Sequence, residues 1–207
     1  MTKRSLRLPM HAVSVAFFLF GRSGATQVVD TTNTVGVVVY ADSTDSRDSV
    51  RFYNPDGTLW YLFSFYYDDR DGLWDFPNDD FRPLAFHPDY FLLRLAVTRR
   101  DSLGYEVIVN SETGLRKRLS RMPFLEFRTW AEHVKSVSSV QFDSASNPIR
   151  TAPSDTASAL PFPGKAAIYR PAEMKGDWMR VTWGESRKGW IRWRRGARLQ
   201  VRCFYFS

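Results

Sequence analysis

Cysteine is almost missing from this chain: Cys203 is the single cysteine among 207 residues. One cysteine excludes an internal disulfide, so packing must hold the fold together. Histidine is also scarce, at three residues, and none lies near Cys203 in the sequence, which disfavours a catalytic thiol. The alternating run Val201–Phe206 around it predicts a buried cysteine in a strand.

A long apolar segment is missing as well. The best candidate is His11–Phe20, which is shorter than the roughly 20 apolar residues of a bilayer-spanning helix. It follows a basic start and precedes the small residues Ser23–Ala25. This order predicts a bacterial secretory signal peptide at residues 1–25, and therefore a periplasmic or secreted protein. An uncleaved amphipathic anchor is the alternative.

Acidic and basic side chains are unevenly distributed in the remainder. Residues 26–137 hold 13 basic and 17 acidic side chains, whereas residues 138–207 hold 12 basic and 5 acidic ones. A basic C-terminal region outside the cytoplasm favours an anionic envelope polymer, a membrane surface or the acidic N-terminal region of the same chain as its partner. Export makes nucleic acid a poor candidate.

Short apolar runs between turn residues predict a β-rich, antiparallel N-terminal domain over residues 26–137. Val35–Tyr40 is β-branched and predicts a buried strand. Pro55–Gly57 predicts a hairpin turn, because proline fixes φ and glycine accepts a positive φ. The run that follows, Leu59–Tyr67, is nearly all large and apolar, which suits a central strand with both faces covered.

The second half of this domain predicts another hairpin and a helix. Tyr90–Val97 predicts a strand, with a helix as the alternative, and Tyr105–Asn110 is its expected hairpin partner. Thr129 and Glu132 fit a capping box, in which each side chain bonds a backbone N–H of the other residue. A short helix from about Trp130 to Val137 is expected to end the domain, which resembles no family that we can name.

Residues 138–207 predict five short strands and carry three motifs in a fixed order. These are Asn147-Pro148-Ile149-Arg150, Gly176-Asp177-Trp178 and Gly189-Trp190. In that order and at those spacings the region resembles the bacterial SH3-like domain, over about a third of the chain. The resemblance implies a small SH3-like β-barrel that binds a ligand and carries no chemistry of its own. After the last motif the chain departs from the family pattern, and residues 202–207 are expected to pair back onto the first domain.

Aromatic residues of this region are too numerous for one small core, which makes them candidates for a binding surface. Trp178 and Trp190 match the resemblance motifs and are expected to be structural. At least one of Trp183 and Trp193 is expected to face outward. Aromatic rings beside arginines suit recognition of a peptide or glycan. The candidate ligand-binding residues are Tyr169, Trp183, Arg192, Trp193 and Arg194. Packing between the two domains is the alternative role of this surface.

Catalytic and metal-binding patterns are weak throughout. The acidic loop at residues 68–80 lacks the regular ligand spacing of a calcium loop. His87 and His133 are far apart and without metal-ligand spacing. Three glutamates in strand or helix contexts carry no glycosidase signature; they are Glu106, Glu126 and Glu132. We therefore expect no catalytic residue, no metal and no cofactor.

The sequence thus leaves three functional hypotheses. The first is an exported, non-catalytic binding protein whose barrel recognises peptidoglycan peptide or an envelope protein. The second is a structural or interaction protein whose barrel packs on its own N-terminal domain. The third, which the residues support least, is an envelope hydrolase.

Overall fold

The computed structural model of the protein describes residues 31–41, 49–65 and 78–206. The predicted signal peptide and most of the acidic loop at residues 68–80 lie outside the described residues. The fold is mainly β, as predicted, with a large antiparallel sheet and one short helix. Within the described part of the chain, no helix is long and apolar enough to cross a membrane.

The large sheet has eight antiparallel strands from the N-terminal part of the chain. Their order is β3-β2-β7-β6-β5-β1-β8, and β4 pairs with β5 beside β6. The strands are β1 Gly36–Tyr40, β2 Ser49–Tyr53, β3 Leu59–Ser64, β4 Ala85–His87, β5 Leu92–Arg100, β6 Gly104–Asn110, β7 Leu115–Ser120 and β8 Leu125–Arg128.

Both predicted hairpins are confirmed. β2 and β3 pair across the turn that contains Gly57, which has a φ of 87° that glycine tolerates without a Cβ clash. β5 and β6 form the second hairpin. The predicted strand is thus confirmed from Leu92 onward, whereas Tyr90 belongs to a short 3-10 helix at Pro88–Tyr90.

The interpretation of Leu59–Tyr67 as a central strand is wrong. Its described part, β3, is the last strand in the order of the sheet, and Leu59 and Leu62 are exposed. The apolar density of this run instead serves one face, where Phe63 is buried against Phe52 with ring centroids 6.3 Å apart. A strand at the edge of a sheet that packs on an aromatic core with one face can therefore have the same apolar composition as a central strand that is covered on both faces.

One face of the sheet encloses an apolar core rich in aromatic rings, which we call the sheet core. Phe52 contacts Phe81 at 5.2 Å and Tyr40 contacts Phe65 at 4.2 Å between ring centroids. Such tilted and edge-on contacts are the arrangements that aromatic rings favour. The sheet core consists of Val38, Tyr40, Val50, Phe52, Phe63, Phe65, Phe81, Leu93, Leu95, Val97, Tyr105, Val107, Val109, Leu119 and Leu125.

A single α-helix, α1 Trp130–Lys135, follows the sheet, and its predicted capping box is present. The backbone N–H of Glu132 donates to Thr129 Oγ1 at 3.3 Å, and the backbone N–H of Thr129 donates to Glu132 Oε2 at 2.7 Å. Two of the orphan N–H groups of the first turn are satisfied in this way.

The C-terminal region forms three small sheets. β10, β11 and β12 make a three-stranded antiparallel sheet, β13 pairs with β14, and β15 pairs with β9. The predicted barrel is not confirmed, since no closed barrel is found among the described residues. The strands are β9 Ser139–Gln141, β10 Arg170–Lys175, β11 Trp178–Trp183, β12 Arg187–Arg192, β13 Arg194–Arg195, β14 Arg198–Leu199 and β15 Arg202–Phe204.

A closed barrel needs continuous hydrogen-bonded ladders between neighbouring strands. The C-terminal region instead has several isolated β-bridges. Arg150 bridges both Ala159 and Trp190, and Val140 bridges Tyr169. One of the short strands predicted for this region, at residues 166–169, is reduced to the single bridge at Tyr169. The chain enters β10 directly afterwards, at Arg170, and the sequence did not predict this strand, which contains Pro171.

The motifs that carry the resemblance have structural roles here. Asn147 is buried, and its side chain donates to the carbonyl of Arg192 at 2.8 Å and accepts from the Arg192 N–H at 2.9 Å. A Cβ on Gly189 would lie 2.3 Å from Ile149 Cγ2. Glycine at this position therefore allows the two segments to pack closely.

The second apolar core, which we call the joint core, takes side chains from both halves of the chain. The other face of β1 contributes Val37 and Val39, and α1 adds Trp130 and Val134. These pack in one cluster with residues of the C-terminal region. The joint core consists of Val37, Val39, Ala96, Trp130, Val134, Val137, Val140, Ile149, Tyr169, Met179, Val181, Trp183, Ile191, Trp193, Leu199 and Val201.

Hydrogen bonds also join the two halves. The backbone N–H of Thr31 donates to the carbonyl of Ala197 at 2.7 Å. The C-terminal strand β15 pairs with β9, within the predicted second domain and not on the first as expected. Only the side chains beyond it reach the first half, where Tyr205 contacts His133 and Phe206 contacts His87.

Candidate functional site

The structure separates the five predicted ligand-binding residues into two groups. Tyr169 and Trp183 lie together, with ring centroids 5.8 Å apart. Arg192, Trp193 and Arg194 follow one another at the end of β12 and the start of β13. The five residues therefore do not form one surface.

The arginine group is engaged by carboxylates of its own region. Arg192 Nε donates to Asp155 Oδ1 at 3.1 Å, and its Nη2 donates to Asp155 Oδ2. Arg194 Nε donates to Asp177 Oδ1 at 2.6 Å. The Arg192 hydrogen bond lowers the pKa of Asp155 and raises that of Arg192. Both guanidinium groups have protein carboxylates as partners, which leaves them less free for an external anion.

Trp193 is part of the joint core and is only 1% exposed. Its indole N–H donates to the carbonyl of Gly176 at 2.8 Å, so the polar edge of the ring is satisfied inside the protein. Trp183 is 6% exposed. The expectation that one of these two tryptophans faces outward is therefore wrong, because the joint core is large enough to take both.

An open cleft of about 480 Å³ lies beside Trp183. Its wall is a proline-rich segment in which Pro161 and Pro163 fix φ and hold the chain extended. The lining residues are Leu160, Pro161, Phe162, Pro163, Trp183, Arg187 and Lys188. We call this the Trp183 cleft.

Stacked rings support the wall of the Trp183 cleft. Phe162 stacks on Tyr169, with centroids 6.1 Å apart and planes within 14°. Tyr169 donates its hydroxyl proton to the carbonyl of Gly164 at 3.1 Å, which ties the proline segment to the core. Phe162 itself stays 39% exposed. Of the predicted residues, Tyr169 thus supports the cleft from below, whereas Trp183 forms part of its surface.

The polar side chains that line the Trp183 cleft are two cations and one indole N–H, all of them hydrogen-bond donors. Arg187 and Lys188 are exposed on its rim, and among the described residues neither forms a salt bridge. Trp183 Nε1 is buried and has no hydrogen-bond partner in the described part of the chain. A buried N–H without an acceptor costs about 1–3 kcal/mol. The cleft therefore combines an apolar floor with cations and an unmet donor.

Sequence reasoning missed the contribution of Phe162 and the adjacent prolines. The composition of residues 155–164, rich in Ser, Ala and Pro, predicts only a long loop. The sequence signal for an exposed ring here is an aromatic residue between two prolines, Pro161-Phe162-Pro163. The flanking prolines restrict the backbone, so the side chain has little freedom to become buried.

The few histidine and cysteine side chains of the protein include two whose pKa values are strongly shifted by burial. His133 is buried, and its Nε2 lies 3.2 Å from the hydroxyl of Tyr205. Burial, with Arg94 and Arg128 nearby, lowers the pKa of His133 to about 3. Burial also raises the pKa of Cys203 to about 12, and this residue lies in strand β15, as predicted. At neutral pH these groups are a neutral imidazole and a protonated thiol.

The three glutamates considered as acids or bases are dispersed. Glu132 caps α1, and Glu126 accepts from Arg128 at 2.7 Å. Glu106 accepts from the hydroxyl of Thr98 at 2.6 Å. His87 is exposed and packs edge-on against Phe206. Within the described ranges, no group of three or more His, Cys, Asp or Glu side chains is arranged to hold a metal ion.

Comparisons with known proteins add no relative to this description. No protein-family model, no curated protein and no solved structure matches the chain.

Proposed function

We propose that this chain is an exported, non-catalytic binding protein. Its C-terminal SH3-like region recognises an anionic extended peptide of the cell envelope, either peptidoglycan peptide or a segment of an envelope protein. The observation that carries the proposal is the Trp183 cleft, an open apolar cleft with the exposed cations Arg187 and Lys188 on its rim. The resemblance and the predicted signal peptide supply the compartment and the class of ligand.

The shape and chemistry of the Trp183 cleft support an extended ligand. Aromatic and proline side chains give rigid, low-entropy surfaces against which a peptide can lie. Arg187 and Lys188 suit carboxylates, because charge-assisted hydrogen bonds to ionised acceptors are stronger than neutral ones. Phe162, which is 39% exposed, supplies a ring face for aliphatic parts of the same ligand, above the buried Trp183.

The interaction-protein hypothesis has its own support. The joint core spans both halves of the chain, which favours a single structural unit. In that hypothesis the C-terminal region serves to complete the fold, and the protein binds other proteins through surfaces other than the Trp183 cleft.

The test is a pulldown of residues 26–207 on purified peptidoglycan sacculi. The variant is Arg187→Glu with Lys188→Glu, which reverses both rim charges without touching either core. The matched control is Arg195→Glu with Arg198→Glu, an equal charge change on the exposed β13–β14 hairpin. Reversing the rim charges should cost retention by roughly ten-fold or more, in line with about 1.5–3 kcal/mol for a hydrogen bond to a charged group.

Three outcomes separate the hypotheses. Retention of wild type and control with loss of the rim variant supports peptide binding at the Trp183 cleft. Equal loss in the rim variant and the control indicates non-specific charge attraction and contradicts the cleft. No retention of any form, with native circular dichroism, favours the interaction-protein hypothesis.

A further inference from the structure

Among the residues that the structure describes, the most exposed large apolar side chain is Leu103, at the turn between β5 and β6. It is 74% exposed and lies at the far end of the second hairpin of the sheet. An exposed leucine on its own needs no explanation. The surroundings of Leu103, however, hold it rigidly and surround it with positive charge.

The turn that carries Leu103 is fixed by its own hydrogen bonds. Asp101 Oδ1 accepts from the backbone N–H of Leu103 at 2.9 Å and of Gly104 at 3.0 Å. The N–H of Arg121 donates to the carbonyl of Leu103 at 3.3 Å. A Cβ on Gly104 would lie 2.2 Å from the carbonyl oxygen of Leu119. The leucine is therefore presented by a pre-organised turn.

Four arginines surround this turn. Arg118 Nη2 lies 3.6 Å from Asp101 Oδ2, and Arg121 Nη2 donates to the Asp101 carbonyl at 3.0 Å. Arg99 is close enough to help lower the pKa of Asp101, and Arg100 is the next residue. Two carboxylates offset part of this charge, since Glu106 lies opposite both Arg99 and Arg118 in the sheet and Asp101 lies in the turn itself. The four guanidinium groups still leave the hairpin end with a net positive charge. We call Leu103 with these four arginines the Leu103 tip.

Two of the arginines are held in place by rings. The Arg100 guanidinium lies 4.4 Å from the ring centroid of Phe127, and that of Arg121 lies 5.8 Å from Tyr105. Phe127 and Tyr105 stack with their planes within 8°. One stack therefore lies beneath the turn, with the Phe127 and Tyr105 rings between the two guanidinium groups. These contacts fix the positions of the cations.

Further apolar surface continues from the Leu103 tip. A shallow cleft of about 270 Å³ lies between Leu103 and the β2–β3 turn, with Tyr53 in its lining. Leu59, directly opposite Tyr53 in the β2–β3 pair, is also exposed. The ends of two hairpins therefore offer neighbouring apolar residues at one edge of the molecule.

We propose that the Leu103 tip is a contact surface for an anionic phospholipid bilayer. Arginines attract the negative surface of such a bilayer, and an apolar residue raised between them enters the boundary between headgroups and acyl chains. The charge of the tip selects this occupant, since four cations around one exposed leucine complement anionic headgroups above an apolar layer. The contact is independent of the Trp183 cleft and would hold the protein at a membrane surface.

The test is sedimentation with vesicles of phosphatidylcholine and phosphatidylglycerol at 3:1, against vesicles of phosphatidylcholine alone. Residues 26–207 are used, because the basic and apolar residues before position 26 would bind vesicles by themselves. One variant is Leu103→Ser, and its control is Ile168→Ser, another exposed apolar position. The second variant is Arg99→Gln with Arg100→Gln, and its control is Arg195→Gln with Arg198→Gln.

We expect binding to the mixed vesicles and none to phosphatidylcholine alone. Loss of two tip arginines should weaken binding by roughly 25-fold, at about five-fold for each basic residue near an anionic surface. Leu103→Ser should weaken it by about ten-fold through lost apolar burial. Both controls should bind like wild type. Failure of wild type to sediment with the mixed vesicles, or equal binding of Leu103→Ser and wild type, overturns the proposal.

A second measurement places the tip directly. An environment-sensitive fluorophore on Leu103→Cys should shift to the blue with mixed vesicles, whereas the same label on Ile168→Cys should not. An unchanged spectrum at position 103 while the protein sediments would show that another surface binds, and would also overturn the proposal. Sacculi retention is unaffected by either Leu103 variant if the two sites are separate, so the two proposals fail independently.

Discussion

The sheet core and the joint core differ in where their residues come from. The sheet core is built from strands of one sheet and is dominated by aromatic rings that contact one another. The joint core takes strands and the helix from the first half and packs them against the C-terminal region. It also encloses polar groups, among them His133 and the indole N–H of Trp193. The difference shows that the C-terminal region contributes to the stability of the first half as well as its own.

The largest expected effect is the loss of stability when a large side chain is removed from the joint core. Trp193→Ala should lower the free energy of unfolding by about 3–5 kcal/mol, as for other buried large aromatic residues. Because the core is shared, the loss should reach both halves together. Urea unfolding gives the free energy, and native-state hydrogen exchange of β1 and β11 gives its distribution.

The control for this change is Trp190→Ala. Trp190 is only half-buried, with the Arg180 guanidinium over its ring at 5.8 Å. Its removal should cost clearly less. Loss of amide protection in β11 with unchanged protection in β1 would show that the joint core is two separate units.

The second expected effect is a loss of stability in acid that originates at His133, which packs beside the joint core. The pKa of His133 is lowered to about 3 in the folded protein from an ordinary value of 6.5. The unfolded chain therefore binds the proton first, and stability present above pH 6.5 is lost as the pH falls from there towards 3. Each pKa unit corresponds to about 1.4 kcal/mol. Tyr205, Arg94 and Arg128 face the imidazole, and none of them supplies a negative partner at these pH values.

His133→Phe isolates this contribution, since phenylalanine fills a similar space and does not titrate. The free energy of unfolding between pH 6.5 and 4.5 should fall in wild type and change much less in the variant. Several carboxyl groups with lowered pKa values, such as Asp101 and Asp143, add their own losses at lower pH. Equal slopes for the two proteins in the upper window would exclude His133 as the cause.

The smallest expected effect concerns the helix that connects the cores. Thr129→Ala removes the oxygen that accepts from the Glu132 N–H, and should cost about 1 kcal/mol. Thr129→Asp restores an acceptor at the cap and should recover most of that loss. Chemical denaturation measures both. Equal stability of the alanine and aspartate variants would show that the capping bond contributes little.

Local chemistry made part of this fold predictable from the sequence. The turn at Pro55–Gly57 and the capping box of Thr129 and Glu132 depend on residues within a few positions of one another, and both predictions are confirmed. The edge position of β3 was not predictable, because a one-sided core of rings and a two-sided one place similar residues in a strand. The burial of Trp193 depends on how the C-terminal region packs against β1 and α1, elements that end at Tyr40 and Lys135 and are therefore far from position 193 in the sequence.

The candidate site was predictable to the same extent. The excess of aromatic residues pointed to Trp183, which lines the cleft, but alternation along one strand says nothing about which carboxylates neutralise Arg192 and Arg194. Asp155 lies 37 positions from Arg192, and no local rule relates the two. The exposure of Phe162 was not predicted, because it depends on the prolines on either side together with the Tyr169 ring beneath it.

The joint core has a consequence for how this protein can be inherited and rearranged. Small binding modules spread among proteins when they can be cut out at a linker and inserted elsewhere with their cores intact. Here a cut between Val137 and Ser138 would leave Val37, Val39 and Trp130 on one fragment without the side chains that cover them. A recombination event at that point would therefore expose apolar surface on both fragments, which favours transfer of the two regions as one piece.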